Sequence, residues 1–207
     1  MDMRKEHQSN TILNRRTILA VIVIVSSVTA SNLLLHRGDP QLGYARYEGF
    51  GFTLDYSQRM DLREDGFGGP EVNESGGSVQ VSFQGYGVEQ YGVLWTLTKN
   101  MPSHMRDLEG GLNYIFSIAA MDGTTFSGFG AYRSTVHNGH EMAYQSFILE
   151  EQGFDIPGIM GGVSCEETGQ FLWFYFIYLP DPENPSVDPQ ELEQGWLGYL
   201  EGFRCQA

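Results

Sequence analysis

The sequence predicts an α+β domain, a twisted antiparallel β-sheet flanked by helices, carried behind an N-terminal signal-anchor helix. Three observations predict it. Large apolar residues recur at every second position in several short runs, and at three- and four-residue steps in two longer ones. One early stretch of about 20 residues, between Arg16 and Arg37, carries no charge, which is the length a helix needs to cross a hydrocarbon layer.

That early stretch comes first in the chain. Residues 1–16 read as a basic cytoplasmic stub, with Arg4, Lys5, Arg15 and Arg16 set against only Asp2 and Glu6. Residues 17–36 read as a transmembrane signal-anchor or a signal peptide, from Thr17-Ile18-Leu19 through Leu33-Leu34-Leu35. Val28-Thr29-Ala30 is a small-residue processing site, so cleavage after Ala30 and a secreted product is the alternative to an anchor. Arg15-Arg16 also loosely matches a twin-arginine export signal. Residues 37–46 form a linker, and 47–207 an extracytoplasmic domain.

Beyond Arg37, seven basic residues face 24 acidic ones, a formal charge of about −17. Such a surface repels nucleic acid and anionic lipid alike, and attracts loose cations or a basic partner. Both cysteines, Cys165 and Cys205, lie in this outer part. An even pair in an oxidising compartment predicts a disulfide. The alternatives, a metal pair or a catalytic thiol, have no nearby histidine or Cys-x-x-Cys partner. Asn73-Glu74-Ser75 matches a glycosylation sequon.

Phe50, Phe52, Leu54 and Tyr56 alternate with Gly49, Gly51, Thr53 and Asp55 and read as the first strand. Asp61 to Gly77 reads as an acidic, Gly-rich loop. Val79, Val81 and Phe83 mark a second strand, and Val93, Trp95 and Leu97 a third. Met105, Leu108, Leu112, Ile115 and Ala119 predict a helix over 103–121, with Ser103 as its cap and Gly110-Gly111 weakening its middle.

Two hairpins follow. Ala131–His137 and His140–Leu149 flank Asn138-Gly139, a dipeptide suited to a type I′ turn. Gly158–Cys165 and Gln170–Leu179 flank Glu166-Glu167-Thr168-Gly169. The last of these strands is apolar on both faces, which requires cover on both. A Pro-punctuated loop leads to a final helix begun by Asp188-Pro189-Gln190-Glu191, with Leu192, Trp196, Tyr199, Leu200 and Phe203 as its buried stripe.

An aromatic first strand (Phe50 to Ser57), an acidic glycine loop, the strand Val79-Gln80-Val81-Ser82-Phe83, the pair holding Asn138-Gly139-His140-Glu141-Met142-Ala143-Tyr144 and a capped last helix with Trp196 follow one another in this order. The layout resembles the PsbP/Mog1/DcrB-like superfamily of small α/β/α sandwiches, over about Tyr47 to Phe203. The resemblance implies a mostly non-enzymatic role as an accessory protein, binding module or surface protein. The usual lipoprotein cysteine is missing, which leaves a helix as the tether.

Few residues suggest chemistry. His137 and His140 flank the Asn-Gly turn and, with Glu141, could hold a transition metal, although His140 and Glu141 would point to opposite faces. Asp181, Glu183 and Asp188, or Glu64, Asp65, Glu71 and Glu74, could gather Ca²⁺ without the spacing of a dedicated loop. The aromatics, among them Trp95, Trp173 and Trp196, could line a pocket or a partner-binding patch but serve a core equally well. Ser134, Ser146 and Ser164 lack a nucleophile elbow, and Gly158 to Gly162 lacks a phosphate-loop spacing.

No cofactor motif occurs. The sequence therefore predicts a membrane-tethered, extracytoplasmic, non-catalytic module that binds or assists an envelope protein. A small-ligand or metal-binding carrier is the alternative, and a hydrolase the third reading.

Overall fold

The computed structural model describes residues 43–66, 71–82, 88–121, 123–151, 153–179 and 187–206. The basic stub, the apolar segment 17–36 and the cleavage site at Ala30 lie outside the described residues. No helix among the described residues is long and apolar enough to cross a membrane.

Among the described residues, eleven strands and two α-helices run in the order β1 (Tyr44–Gly49), β2 (Phe52–Ser57), β3 (Asp61–Asp65), β4 (Gly76–Ser82), β5 (Val88–Leu97), α1 (Leu108–Met121), β6 (Thr125–Ser127), β7 (Arg133–His137), β8 (His140–Glu151), β9 (Phe154–Cys165), β10 (Gln170–Leu179), α2 (Pro189–Glu201) and β11 (Phe203–Cys205). The large sheet is antiparallel in the order β3-β4-β5-β10-β9-β8-β6. β6 and β7 share the outer side of β8, opposite Ile148–Glu150 and His140–Tyr144 respectively. A second sheet, β1-β2-β11, stands apart.

β10 explains the layering. Its side chains alternate between two cores, because successive residues of a strand point to opposite faces. Leu172, Phe174 and Phe176 join Trp95 and Ile159 against α2 and the small sheet, through Trp196, Tyr199, Phe52 and Phe203. Phe171, Trp173, Tyr175 and Ile177 join Leu112, Ile115 and Phe116 of α1 on the other side. The cover on both faces that the sequence requires is thus supplied by one helix on each, with the small sheet added on the α2 side.

The helices start where side chains can satisfy free amides. Asp188 caps α2 by accepting from the Gln190 N–H at 2.8 Å, with proline in the first turn. α1 begins five residues later than the sequence suggests. Ser103–Met105 forms a short 3₁₀ turn, and Asp107 takes the capping role, accepting from the Gly110 N–H at 2.6 Å. Gly110 and Gly111 consequently sit in the first turn rather than the middle. Gly111 lies against the ring of Phe171, where a side chain would collide, and its carbonyl accepts from the Trp173 indole at 2.8 Å.

Four strands were not apparent in the sequence. β1 pairs with β2 through a turn at Phe50-Gly51, both at positive φ, so Phe50 leaves the strand that its alternation implies. It stacks on Trp95 instead, with ring centroids 5.1 Å apart. β3 occupies the start of the supposed acidic loop; it is an exposed edge strand, so its charged residues carry no apolar period. β6 and β11 have three residues each, too short for a pattern.

Candidate interaction surface

Cys165 and Cys205 are bonded, with Cα atoms 6.3 Å apart, and join the end of β9 to β11. β11 also pairs with β2, and the Gln206 N–H donates to the Gly51 carbonyl at 2.8 Å. The sequon residue Asn73 is exposed in a turn, where its side-chain oxygen accepts from the Ser75 N–H at 2.8 Å.

The β7–β8 turn has the expected form, Asn138 at φ 49° and Gly139 at φ 86°, with His137 directly opposite His140. Its side chains serve the fold. The Asn138 amide donates to the Phe203 carbonyl at 2.8 Å and lies 2.7 Å from His137 Nε2. Burial, and then the charge of Arg204, push the His137 pKa down. Glu141 stands opposite Val136. Among the described residues no three His, Cys, Asp or Glu side chains gather as a metal-binding group, whether His137, His140 and Glu141 or Glu64, Asp65, Glu71 and Glu74. Asp188 is the α2 cap, and Asp181 and Glu183 lie outside the described residues. Ser134, Ser146 and Ser164 stand on three different strands opposite Ala143, Ile159 and Phe171.

A polar trio ties α2 to the sheet edge. Glu193 accepts from the Tyr144 hydroxyl and from Arg133 Nη1, each at 2.5 Å. The Tyr144 hydrogen bond, then Arg133, hold the Glu193 carboxyl below its usual range. No local pattern reveals this trio, because Tyr144 and Arg133 lie 49 and 60 residues from Glu193.

On the other side of the same edge, apolar side chains stand uncovered by any described residue. Val136 is 71% exposed, Met121 68% and Phe154 65%, and Phe129 is also exposed. Strand register puts these on the α1 side. Val136 faces Glu141, two residues from the buried Ala143 of that core; Phe154 faces Glu151, two from Leu149. Met121 ends α1, and the Phe129 ring meets Phe116 of α1 edge-on at 5.1 Å. Four of the six large apolar side chains exposed among the described residues therefore lie on the α1 side of this edge, with Val136 and Phe154 opposite positions of β8 ten residues apart; Tyr44 and Leu197 are the other two. Exposed apolar side chains gathered on one face are candidates for a contact site.

The rim is also one-sided in charge. Glu141 and Glu151 flank it, and burial raises the Glu151 pKa. Residues 134–203 contain no lysine or arginine, nor do 107–132. Arg133, between them, is engaged by Glu193.

No protein-family model matches the chain, and no curated protein is similar to it in sequence. Solved structures share its fold. The chain is similar to cyanobacterial PsbP (CyanoP) from Synechocystis, at 10% identity and a TM-score of 0.54, over 84% of this chain and 98% of that one. It is also similar to the Ran-binding protein Mog1p of Saccharomyces cerevisiae, at 10% identity and a TM-score of 0.51, over 80% and 96% of the two chains.

Proposed function

We propose that this PsbP/Mog1-like domain is a non-catalytic binding module, tethered to a membrane by residues 17–36 and working outside the cytoplasm. It docks an envelope protein on the rim formed by Met121, Phe129, Val136 and Phe154. The exposed apolar run is the observation that carries the reading, since burying it stabilises a complex and leaving it bare costs solubility. The partner surface is an apolar patch bordered by lysine or arginine, because Glu141 and Glu151 border this one. One solved neighbour is described as a Ran-binding protein, which supports a binding role for the fold without identifying the partner here. The tether rests on the basic-then-apolar pattern of the first 36 residues and on the paired cysteines.

Photo-crosslinking in the full chain, expressed in its native host, tests the surface. A crosslinker at residue 136 should give one discrete adduct that weakens in high salt and disappears with Phe154→Asp, and one at residue 154 should behave alike with Val136→Asp. One at residue 44 or 197 should give none. Equal adducts from both sets, or none from the rim, would overturn the assignment. Extraction of the full chain from membranes by alkaline carbonate would reject the tether.

A further inference from the structure

Within this sequence only Asn73-Glu74-Ser75 has the Asn-x-Ser/Thr pattern of a sugar acceptor, since Asn184-Pro185-Ser186 is blocked by its proline. The fold presents that segment in one particular way. It turns into β4, with the Asn73 N–H donating to the Gly76 carbonyl at 3.3 Å and the Gly76 N–H to the Asn73 carbonyl at 3.2 Å. The sheet holds all three backbone carbonyls. That of Asn73 accepts from the Trp95 indole at 2.9 Å and that of Glu74 from the Gln170 amide at 3.1 Å. That of Ser75 accepts from the Thr96 hydroxyl at 3.2 Å and the Leu97 N–H at 3.3 Å.

The three side chains, by contrast, are exposed. The Asn73 carboxamide oxygen accepts from the Ser75 N–H at 2.8 Å, while its nitrogen donates to no described residue. A group added to that nitrogen therefore meets solvent and leaves every one of these hydrogen bonds in place. We propose that Asn73 carries an N-linked glycan, added outside the cytoplasm; the inference rests on the export reading above. The donor is an oligosaccharide on a lipid-linked phosphate or diphosphate. Asn73 Nδ2 forms a bond to the anomeric carbon as the carbon–oxygen bond to phosphate breaks. The lipid phosphate leaves with that electron pair, and the amide proton passes to a base of the transferase. β8, against which Val136 and Phe154 stand, is four strands from β4, so the glycan and the docking rim occupy different parts of the sheet.

Mass spectrometry of the full chain from its native host tests this. Trypsin releases the peptide Glu64–Lys99, in which Asn73 is the sole asparagine. The peptide should carry an increment built of monosaccharide masses. Asn73→Gln and Ser75→Ala should each abolish it, with the Cys165–Cys205 bond still formed. That bond reports export independently of the sugar. An unmodified peptide from oxidised protein would overturn the glycan alone, and one from protein with both thiols reduced would overturn glycan and export together. An increment that survives either substitution would also overturn the assignment.

Discussion

The six-membered ring of Trp196 lies over Gly161, in the space that any side chain at residue 161 would need. Tyr144 covers the same indole, with ring centroids 4.6 Å apart. This contact sets how closely α2 approaches β9.

Gly161→Ala should therefore lower stability by about 1–3 kcal/mol, the cost of overpacking a filled core. Gly198→Ala is the control. It sits in the same helix with open space around it, and alanine there should stabilise by up to about 1 kcal/mol. Urea denaturation of the two variants measures both signs.

Replacing Cys165 and Cys205 by serine should cost about 3–4 kcal/mol from the released loop of 40 residues. The loss appears as a lower denaturation midpoint. Reducing agent should shift the native protein towards the double variant and leave the variant itself unmoved.

Asp188→Ala removes the side chain that accepts from the Gln190 N–H, and should cost about 0.5–2 kcal/mol. Asp188→Asn or Asp188→Ser should restore most of it, since each keeps an acceptor at the cap. Thermal melts of the three variants check the ranking.

Stability should fall with acid in two stages. His137 has a folded-state pKa below its ordinary value, through burial and Arg204. The unfolded chain thus takes up the proton first, so stability is full above about pH 6.5 and declines as the pH falls below that. Asp55, depressed by its hydrogen bond from Arg46, and Glu193, depressed by Tyr144 and Arg133, contribute stability above about pH 4–4.5 and lose it below. His137→Asn should flatten the upper stage and leave the lower one intact, in denaturation midpoints measured from pH 3 to 8.

What could be read from the sequence was whatever one segment decides alone. The two-sided apolar run of β10, the Asn138-Gly139 turn and the Asp188 cap depend on local periodicity or on one residue's preferred backbone, and all three stand as expected. β3 and β1 depend on a neighbour: Asp61–Asp65 is extended because β4 offers it hydrogen bonds, not because its own residues favour a strand. The same holds for Glu193, whose partners come from a different hairpin. The rim was legible only as a possibility. Val136 and Phe154 look like ordinary strand residues until their exposure shows that no described residue covers them.

The pairing of β11 with β2 has a consequence for biogenesis. Leu54 and Phe203 are about 150 positions apart yet belong to one small sheet, and loop closure over that distance is slow. In a nascent chain the small sheet therefore closes over Phe52 and Leu54 only after Phe203 to Cys205 has been made, so that face of the aromatic interior is the last to be covered.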